Sequence, residues 1–431
     1  MNNLELIEET LSLKMGHLSD QGALVVETGK FTGRAVNERF VARHPQLEGE
    51  IDWGKSNQPI EAAFADEFFA RLEKRLGGVR TYTSDNYIAT FPIHVISTSP
   101  WHILFARNMF RSAPIEKLRG VVRSDVRIQI FHDPYGKVSD LGLKHSSETI
   151  IVFDPLHARV GIVGTSYAGE MKKSAFSMCN YLLPKFGIFP MHSSANTMPN
   201  GENSCVLFGL SGTGKTSLSA DASRSIIGDD EIIWTDSGLS NLEGGCYAKL
   251  IDLTLEKEPE IYKAVNRFGA LQENVVMGDD RAVDFADRTK AENTRGSYPV
   301  TFLDNVFDQN REASHPRNII FLTCDAFGAL PAVAKLDAAQ AQFHFISGYT
   351  AKVAGTELGV KEPSATFSAS ASRPGRSSST ARSRTWRRGP CSRSSWARVG
   401  SEAVQRPHHE ATKPTITPSG PPSRGTGSTW S

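Results

Sequence analysis

The chain has 431 residues, 39% hydrophobic and 22% charged, with a formal net charge of +1, enough for two or more domains with substantial cores. It contains no apolar run near ~18 residues and no basic-then-apolar leader, so neither a membrane-spanning helix nor a secretory signal is expected. The five cysteines, Cys179, Cys205, Cys246, Cys324 and Cys391, are odd in number and widely spaced. That argues against a disulfide framework or a zinc cage and for a reducing, cytoplasmic setting.

The first 187 residues mix short strands and helices without an internal repeat. Branched and aromatic runs predict strands at 23–27, 87–91, 126–130 and 149–153. Phe64, Phe68, Leu72 and Leu76, spaced by four, predict a helix over 60–76. A strand at 159–163, a turn at 164–169 and a helix over 170–183 follow, the helix carrying an apolar stripe of Met171, Ala175, Met178 and Leu182.

Lys172 and Lys173 then fall in the first turn of that helix, where cations oppose the macrodipole at roughly 0.3–1 kcal/mol each if exposed. Three compensations are open. The pair could bind an anion, one lysine could be neutral beside a divalent cation and serve as a ligand or base, or both could reach water along their stems. His192, in Phe189-Pro-Met-His-Ser-Ser-Ala-Asn196, is equally open between a structural and a functional role.

From about residue 188 the pattern becomes that of a nucleotide-binding unit. Gly209-Leu-Ser-Gly-Thr-Gly-Lys-Thr216 fits the phosphate-loop pattern, with a strand predicted at 204–209 before it and a helix over 216–221 after it. Backbone amides of such a turn approach phosphate oxygens, Lys215 adds a mobile charge, and Thr216 offers a hydroxyl to a phosphate-bound magnesium. The acids Asp229 and Asp230 follow the lysine by only fourteen and fifteen residues, at the end of the apolar pair Ile226-Ile227. Open α/β sheets bind ligands at that end, so a metal beside the nucleotide is expected. A helix over 258–268 and a buried strand at 318–323 complete the unit.

The segment 370–431 differs abruptly. It holds ten Arg, one Lys and fourteen Ser but only Glu402 and Glu410, a net of +9 against −8 for the rest of the chain, and it contains no Leu, Phe, Tyr or Met. Such a composition cannot offset chain entropy by apolar burial, and disorder is expected. The suddenness of the change after residue 369 predicts a shift of reading frame there, which sequencing of the coding DNA tests.

Taken jointly, the segments resemble one family, phosphoenolpyruvate carboxykinase of the ATP-dependent class. The resemblance rests on Thr28-Gly-Lys-Phe-Thr-Gly-Arg34, Tyr167-Ala-Gly-Glu-Met-Lys-Lys173, Met191-His192, the phosphate loop, and Ile227-Gly-Asp-Asp-Glu231. It continues through Glu243-Gly-Gly-Cys-Tyr-Ala-Lys249, Glu258-Pro-Glu-Ile-Tyr262, Glu292-Asn-Thr-Arg295, Asp325-Ala-Phe-Gly328 and Glu362-Pro-Ser-Ala-Thr-Phe-Ser-Ala369, covering residues 20–369. It implies an N-terminal substrate-side α/β domain at 1–187, a phosphate-loop α/β domain at 188–369 that is incomplete, and the disordered tail.

The activity implied is conversion of oxaloacetate and ATP to phosphoenolpyruvate, carbon dioxide and ADP, a gluconeogenic reaction. The implied cofactors are ATP, manganese and magnesium. By motif position, Lys173, His192 and Asp230 would bind manganese, and Thr216 would hold the magnesium of ATP. Asp229 would orient metal-bound waters. Arg34 and Tyr167 would hold the substrate carboxylate and the departing carbon dioxide, and Arg295 would span substrate and γ-phosphate. Gly209, Leu210, Ser211, Gly212, Thr213, Gly214, Lys215, Thr216 and Ser217, together with Lys173, His192, Lys249, Glu258 and Arg295, would contact ATP. Lys172, Lys173, Arg295 and Asp230 would form the catalytic group.

The resemblance also implies a cytoplasmic monomer with small-molecule partners and neither membrane nor nucleic acid. The family's adenine-side loop, with its arginine and threonine, is not recognisable after residue 369, so weak nucleotide affinity and poor solubility are expected. Two alternatives differ in class. One is a nucleotide-dependent binding or regulatory protein using the basic tail; the other is a different phosphate-loop small-molecule kinase.

Overall fold

Alternating apolar runs in the first half of the chain build a seven-stranded mixed sheet buried on both faces. Its order is Gln58–Glu61, Arg39–Arg43, Ile150–Asp154, Arg159–Val163, Ile128–Asp133, Phe91–Ser97 and Tyr82–Ile88. Along Arg159–Val163, Val160 and Ile162 join one core while Val163 joins the other, as period-two geometry requires. The helix Ala62–Gly77 covers the second face with Phe68, Phe69 and Leu72, each fully buried. Gly161 is required beneath it, because a Cβ there would overlap the Phe68 ring. The first face is covered by the helices Pro100–Met109 and Gly169–Leu182. In this computed structural model, residues 1–352 and 364–367 are described, except 55–56, 123–124, 211–213, 220, 222, 326–327 and 329.

The expected strand at 87–91 is in fact a hairpin. Tyr82–Ile88 and Phe91–Ser97 pair antiparallel with Ile88 opposite Phe91, and Ala89 turns the chain at φ +50. No Gly, Asn or Pro marks that turn, so apolar character runs through it unbroken. The other expected elements lie within a few residues of their observed bounds: Leu24–Val26, Ile128–Asp133, Ile150–Asp154, Arg159–Val163, Gly169–Leu182, Ser204–Gly209, Lys215–Ser219, Pro259–Val265 and Pro316–Leu322.

A five-stranded sheet, ordered Gly16–Leu18, Leu24–Val26, Leu271–Glu273, Arg295–Pro299 and Gly245–Lys249, joins the first strands of the chain to residues beyond 245. Leu24–Val26 and Leu271–Glu273 pair in parallel. The chain therefore crosses the expected boundary at residue 187 within one sheet.

The nucleotide unit holds a four-stranded sheet ordered Ser225–Gly228, Ser194–Thr197, Ser204–Gly209 and Pro316–Leu322. Ser194–Thr197 is antiparallel to both of its neighbours, so Ser225–Gly228 and Ser204–Gly209 run the same way and end at the same edge. That topology places the acids after one strand beside the phosphate loop after the other. A three-stranded sheet of Phe189–His192, Glu231–Trp234 and Leu239–Asn241 adjoins it, with His192 directly opposite Glu231. Ile320 on Pro316–Leu322, and Phe343 and Ile346 on the helix Ala338–Ser347, are 41%, 73% and 55% exposed. Of the 362–369 block only Ser364–Phe367 is described, paired with Tyr349–Lys352, and the tail 370–431 lies outside the described residues.

Candidate active site

The phosphate loop leaves the strand Ser204–Gly209 and enters the helix Lys215–Ser219, with Gly214 at φ +88, a left-handed conformation that favours glycine. Lys215 is buried and its Nζ donates to the carbonyls of Gly209 at 2.7 Å and Leu210 at 3.3 Å. Burial lowers its pKa, partly opposed by Asp230. Ser211, Gly212 and Thr213 lie outside the described residues, and of Thr216 and Ser217 only the helical backbone is described.

Four chain segments converge beside the loop. Lys172 Nζ, fully buried, lies 2.5 Å from Asp230 Oδ2, 3.0 Å from Glu243 Oε2 and 3.9 Å from Glu231 Oε1. Lys173 Nζ lies 2.6 Å from Asp230 Oδ2, 2.6 Å from Glu231 Oε1 and 3.4 Å from His192 Nδ1. His192 Nε2 is 3.1 Å from Asp230 Oδ1. Carboxylates therefore answer the two lysines at the helix start, and Lys172 does not reach water.

The charges of this cluster shift one another. Burial disfavours the Lys172 ammonium, yet Asp230, Glu243 and Glu231 hold its pKa well above the ordinary range. Burial would raise Asp230, but His192, Lys172 and Lys173 keep it well below the usual carboxylate range. Burial pushes Glu243 up to about 7 and Glu231 upward, each against the pull of the lysines. Desolvation lowers His192 to about 4, with Lys173 and Lys215 adding to the effect, so the imidazole is neutral and able to ligate.

The donor set fits a divalent cation. Ligand atoms of His192, Asp230 and Glu231 lie within 4.8 Å of one another. Among the described residues Glu231 Oε2 and Glu243 Oε1 are buried without a hydrogen-bond partner, and Glu243 Oε2 meets the Lys172 ammonium at 3.0 Å, an excess of acceptors that a cation would balance. Asp229, also buried, instead meets the Cys246 thiol and feels the Lys172 charge.

A second group lies on the five-stranded sheet and the turn before the site helix. Tyr167 is buried, and its ring centroid lies 6.1 Å from that of Tyr247. Arg295 Cζ stands 5.6 Å from the Tyr247 ring centroid, and its Nε donates to Asn293 Oδ1 at 2.9 Å. Lys249 is opposite Arg295 in the register. Arg34 is exposed; the amide of the next residue, Ala35, donates to Glu170 Oε1 at 2.7 Å, which ties that segment to the site helix. Glu258 stands at the start of the helix Pro259–Val265.

The family model described as phosphoenolpyruvate carboxykinase matches residues 1–376. The chain belongs to the phosphoenolpyruvate carboxykinase family, ATP-dependent class. It is 46% identical over 374 residues to the phosphoenolpyruvate carboxykinase (ATP) of Thermus thermophilus, covering 84% of this chain and 70% of that protein. Against Salinibacter ruber phosphoenolpyruvate carboxykinase (ATP) 1 the identity is 45% over 377 residues, 84% of this chain and 68% of the relative. The corresponding protein of a Geobacter species is 44% identical over 378 residues.

ATP-dependent phosphoenolpyruvate carboxykinases are carboxy-lyases that convert oxaloacetate to phosphoenolpyruvate with ATP, manganese and magnesium. Membership selects this reading over a regulatory binding protein or another small-molecule kinase. Within this carboxykinase the geometry adds Glu231, Glu243, Tyr247 and Glu273, to which the sequence reading assigned no role. Glu231, Glu243 and Tyr247 stand inside the quoted motifs, but nothing in their neighbours along the chain sets them apart. Among the described residues no helix is long and apolar enough to cross a membrane, and Cys179, Cys205, Cys246 and Cys324 are free.

Proposed function

We propose that Lys173, His192 and Asp230 hold the manganese, with Glu231 balancing Lys173, and that Tyr167, Arg34 and Arg295 receive the substrate. The meeting of Lys173 and His192 on Asp230, beside the phosphate-loop helix, is the observation that carries this reading. Manganese bound there supplies Lewis acidity and a template for the enolate oxygen and the γ-phosphate. For Lys173 to ligate it would have to present its amine lone pair, and so would lose one of the three ammonium protons, two of which now reach Asp230 and Glu231.

Decarboxylation leaves negative charge on the enolate, so cations fixed in advance lower the barrier. Arg34 offers a planar fork to a carboxylate, which a point charge matches less well. Arg295 stands opposite Lys249 on the neighbouring strand and near the Tyr247 ring, positioned to balance charge during phosphoryl transfer. The phosphate loop, Gly209–Ser217 in this reading, cradles the ATP phosphates, with the magnesium on Thr216 and with Lys249 and Glu258 toward the nucleotide. Lys172 holds Asp230 in its ionised form from inside the protein. The four free thiols support a reducing, cytoplasmic location, and we take the protein as a monomer, which light scattering tests.

The decisive experiment supplies the purified chain with oxaloacetate, ATP and manganese and follows carbon dioxide and ADP together. Equal release of both, lost in Asp230→Asn, is expected. ADP release without carbon dioxide would overturn the reading.

A further inference from the structure

Glu273 ends the strand Leu271–Glu273 and is fully buried. The Tyr247 hydroxyl donates to its carboxyl group, with Oε1 at 2.9 Å and Oε2 at 3.0 Å, and the Ala168 amide donates to it from the start of the site helix. In the register Glu273 is opposite Arg295, and the strand bearing Tyr247 lies on the far side of Arg295–Pro299. The Tyr167 and Tyr247 hydroxyls are themselves hydrogen-bonded. The groups facing Glu273 are thus Tyr247 and Arg295 from the sheet, Tyr167 through Tyr247, and Ala168. Leu24–Val26 contributes only the neutral Val26, and Lys249 adds a second cation beyond Arg295.

An acid buried across the strand pair from an arginine assigned to the substrate presents a problem of charge. As a carboxylate it would offset part of the Arg295 charge from the neighbouring strand and weaken attraction for an anion. As a carboxyl it keeps the hydrogen bonds and leaves the arginine's field intact. Burial raises its pKa to about 8, against the pull of Tyr247 and Arg295, so the carboxyl form prevails at neutral pH.

Building on the reading of Arg295 and Tyr167 as substrate contacts, we propose that Glu273 is a positioning residue. It holds Tyr167 through Tyr247, and its change between carboxyl and carboxylate sets how much of Arg295's charge reaches an anionic substrate. Substrate affinity therefore falls as the pH rises through the titration of Glu273.

The test uses the full chain with manganese and oxalate, a planar dianion of the size of the enolate's carboxylate end, in calorimetric titrations from about pH 6.5 to about pH 9.5. Wild-type affinity should weaken above about pH 8, by up to about tenfold per pH unit for a single coupled proton. Glu273→Gln should bind with little pH dependence. Tyr247→Phe removes a hydrogen bond that favours the carboxylate and should move the transition to higher pH. Infrared difference spectra give an independent readout: a buried carboxyl band that disappears near pH 8 in the wild type and is missing in Glu273→Gln. Oxalate affinity independent of pH in the wild type, unchanged pH dependence in Glu273→Gln, or no such band overturns the inference. A normal band without oxalate binding at any pH overturns the substrate site itself and the inference with it.

Discussion

Lys172 Nζ lies 2.5 Å from Asp230 Oδ2, and the lysine is fully buried on a helix whose other faces are also covered. An ammonium so placed is sustained only by the carboxylates around it, chiefly Asp230 and Glu243. Lys172→Met would strand those carboxylates, and a loss of about 3–5 kcal/mol is expected for breaking a buried pair from one side. Denaturant unfolding measures it; a loss below about 1 kcal/mol would show that the acids take up protons without strain.

Manganese binding separates ligands from neighbours. Asp230→Asn and His192→Gln each remove a proposed donor and should weaken manganese by more than the about 10–100-fold typical of an outer partner, whereas Glu231→Gln should fall within that range. The free-ion signal in electron paramagnetic resonance reports the affinity directly. Equal effects in all three variants would make Glu231 a ligand.

His132 donates from Nε2 to the Thr165 carbonyl at 3.2 Å, steadying the turn before Tyr167, and burial lowers its pKa to about 4. The unfolded chain binds this proton near the ordinary value of about 6.5, so the contribution is present above that pH and is lost as pH falls toward 4. His132→Gln should flatten the dependence of Tm on pH between those values. Calorimetry across that window checks it, and an unchanged slope would assign the acid sensitivity elsewhere.

Gly169 opens the site helix against Tyr167, where a Cβ would fall 2.6 Å from the ring. Gly169→Ala should cost about 1–3 kcal/mol of stability by overpacking and raise KM for oxaloacetate as the ring is displaced. A normal KM with lowered stability would free Tyr167 of any part in substrate binding.

Phe343 and Ile346, 73% and 55% exposed on the helix Ala338–Ser347, give the protein an adhesive face. Phe343→Glu with Ile346→Glu should raise the concentration at which light scattering detects association. No change would place the sticky surface elsewhere.

Much of the fold was legible because its cues are local. The strand, glycine turn and helix around Lys215 follow one another in sequence, and the alternation in 159–163 marks a strand whatever surrounds it. The hairpin at Ala89 was hidden because its turn lacks the residues that usually announce one. Lys173, His192 and Asp230 came from motif position. Glu243 and Glu273 were beyond reach, since each acts on partners brought near by sheet pairing.

By itself, the sequence determined that a phosphate-binding loop precedes a pair of acids, that the first part alternates strands and helices, and that the chain matches the carboxykinase motifs. These depend on short-range geometry and residue chemistry. Only the tertiary structure decided which charges meet. The antiparallel strand Ser194–Thr197 sets the loop and the acids at one edge, the pairing of His192 with Glu231 brings the imidazole beside Asp230, and the sheet bringing Glu273 to Arg295 joins residues far apart in the chain. Burial then gives those encounters their effect, because a carboxylate and an ammonium interact weakly in water and strongly once water is excluded.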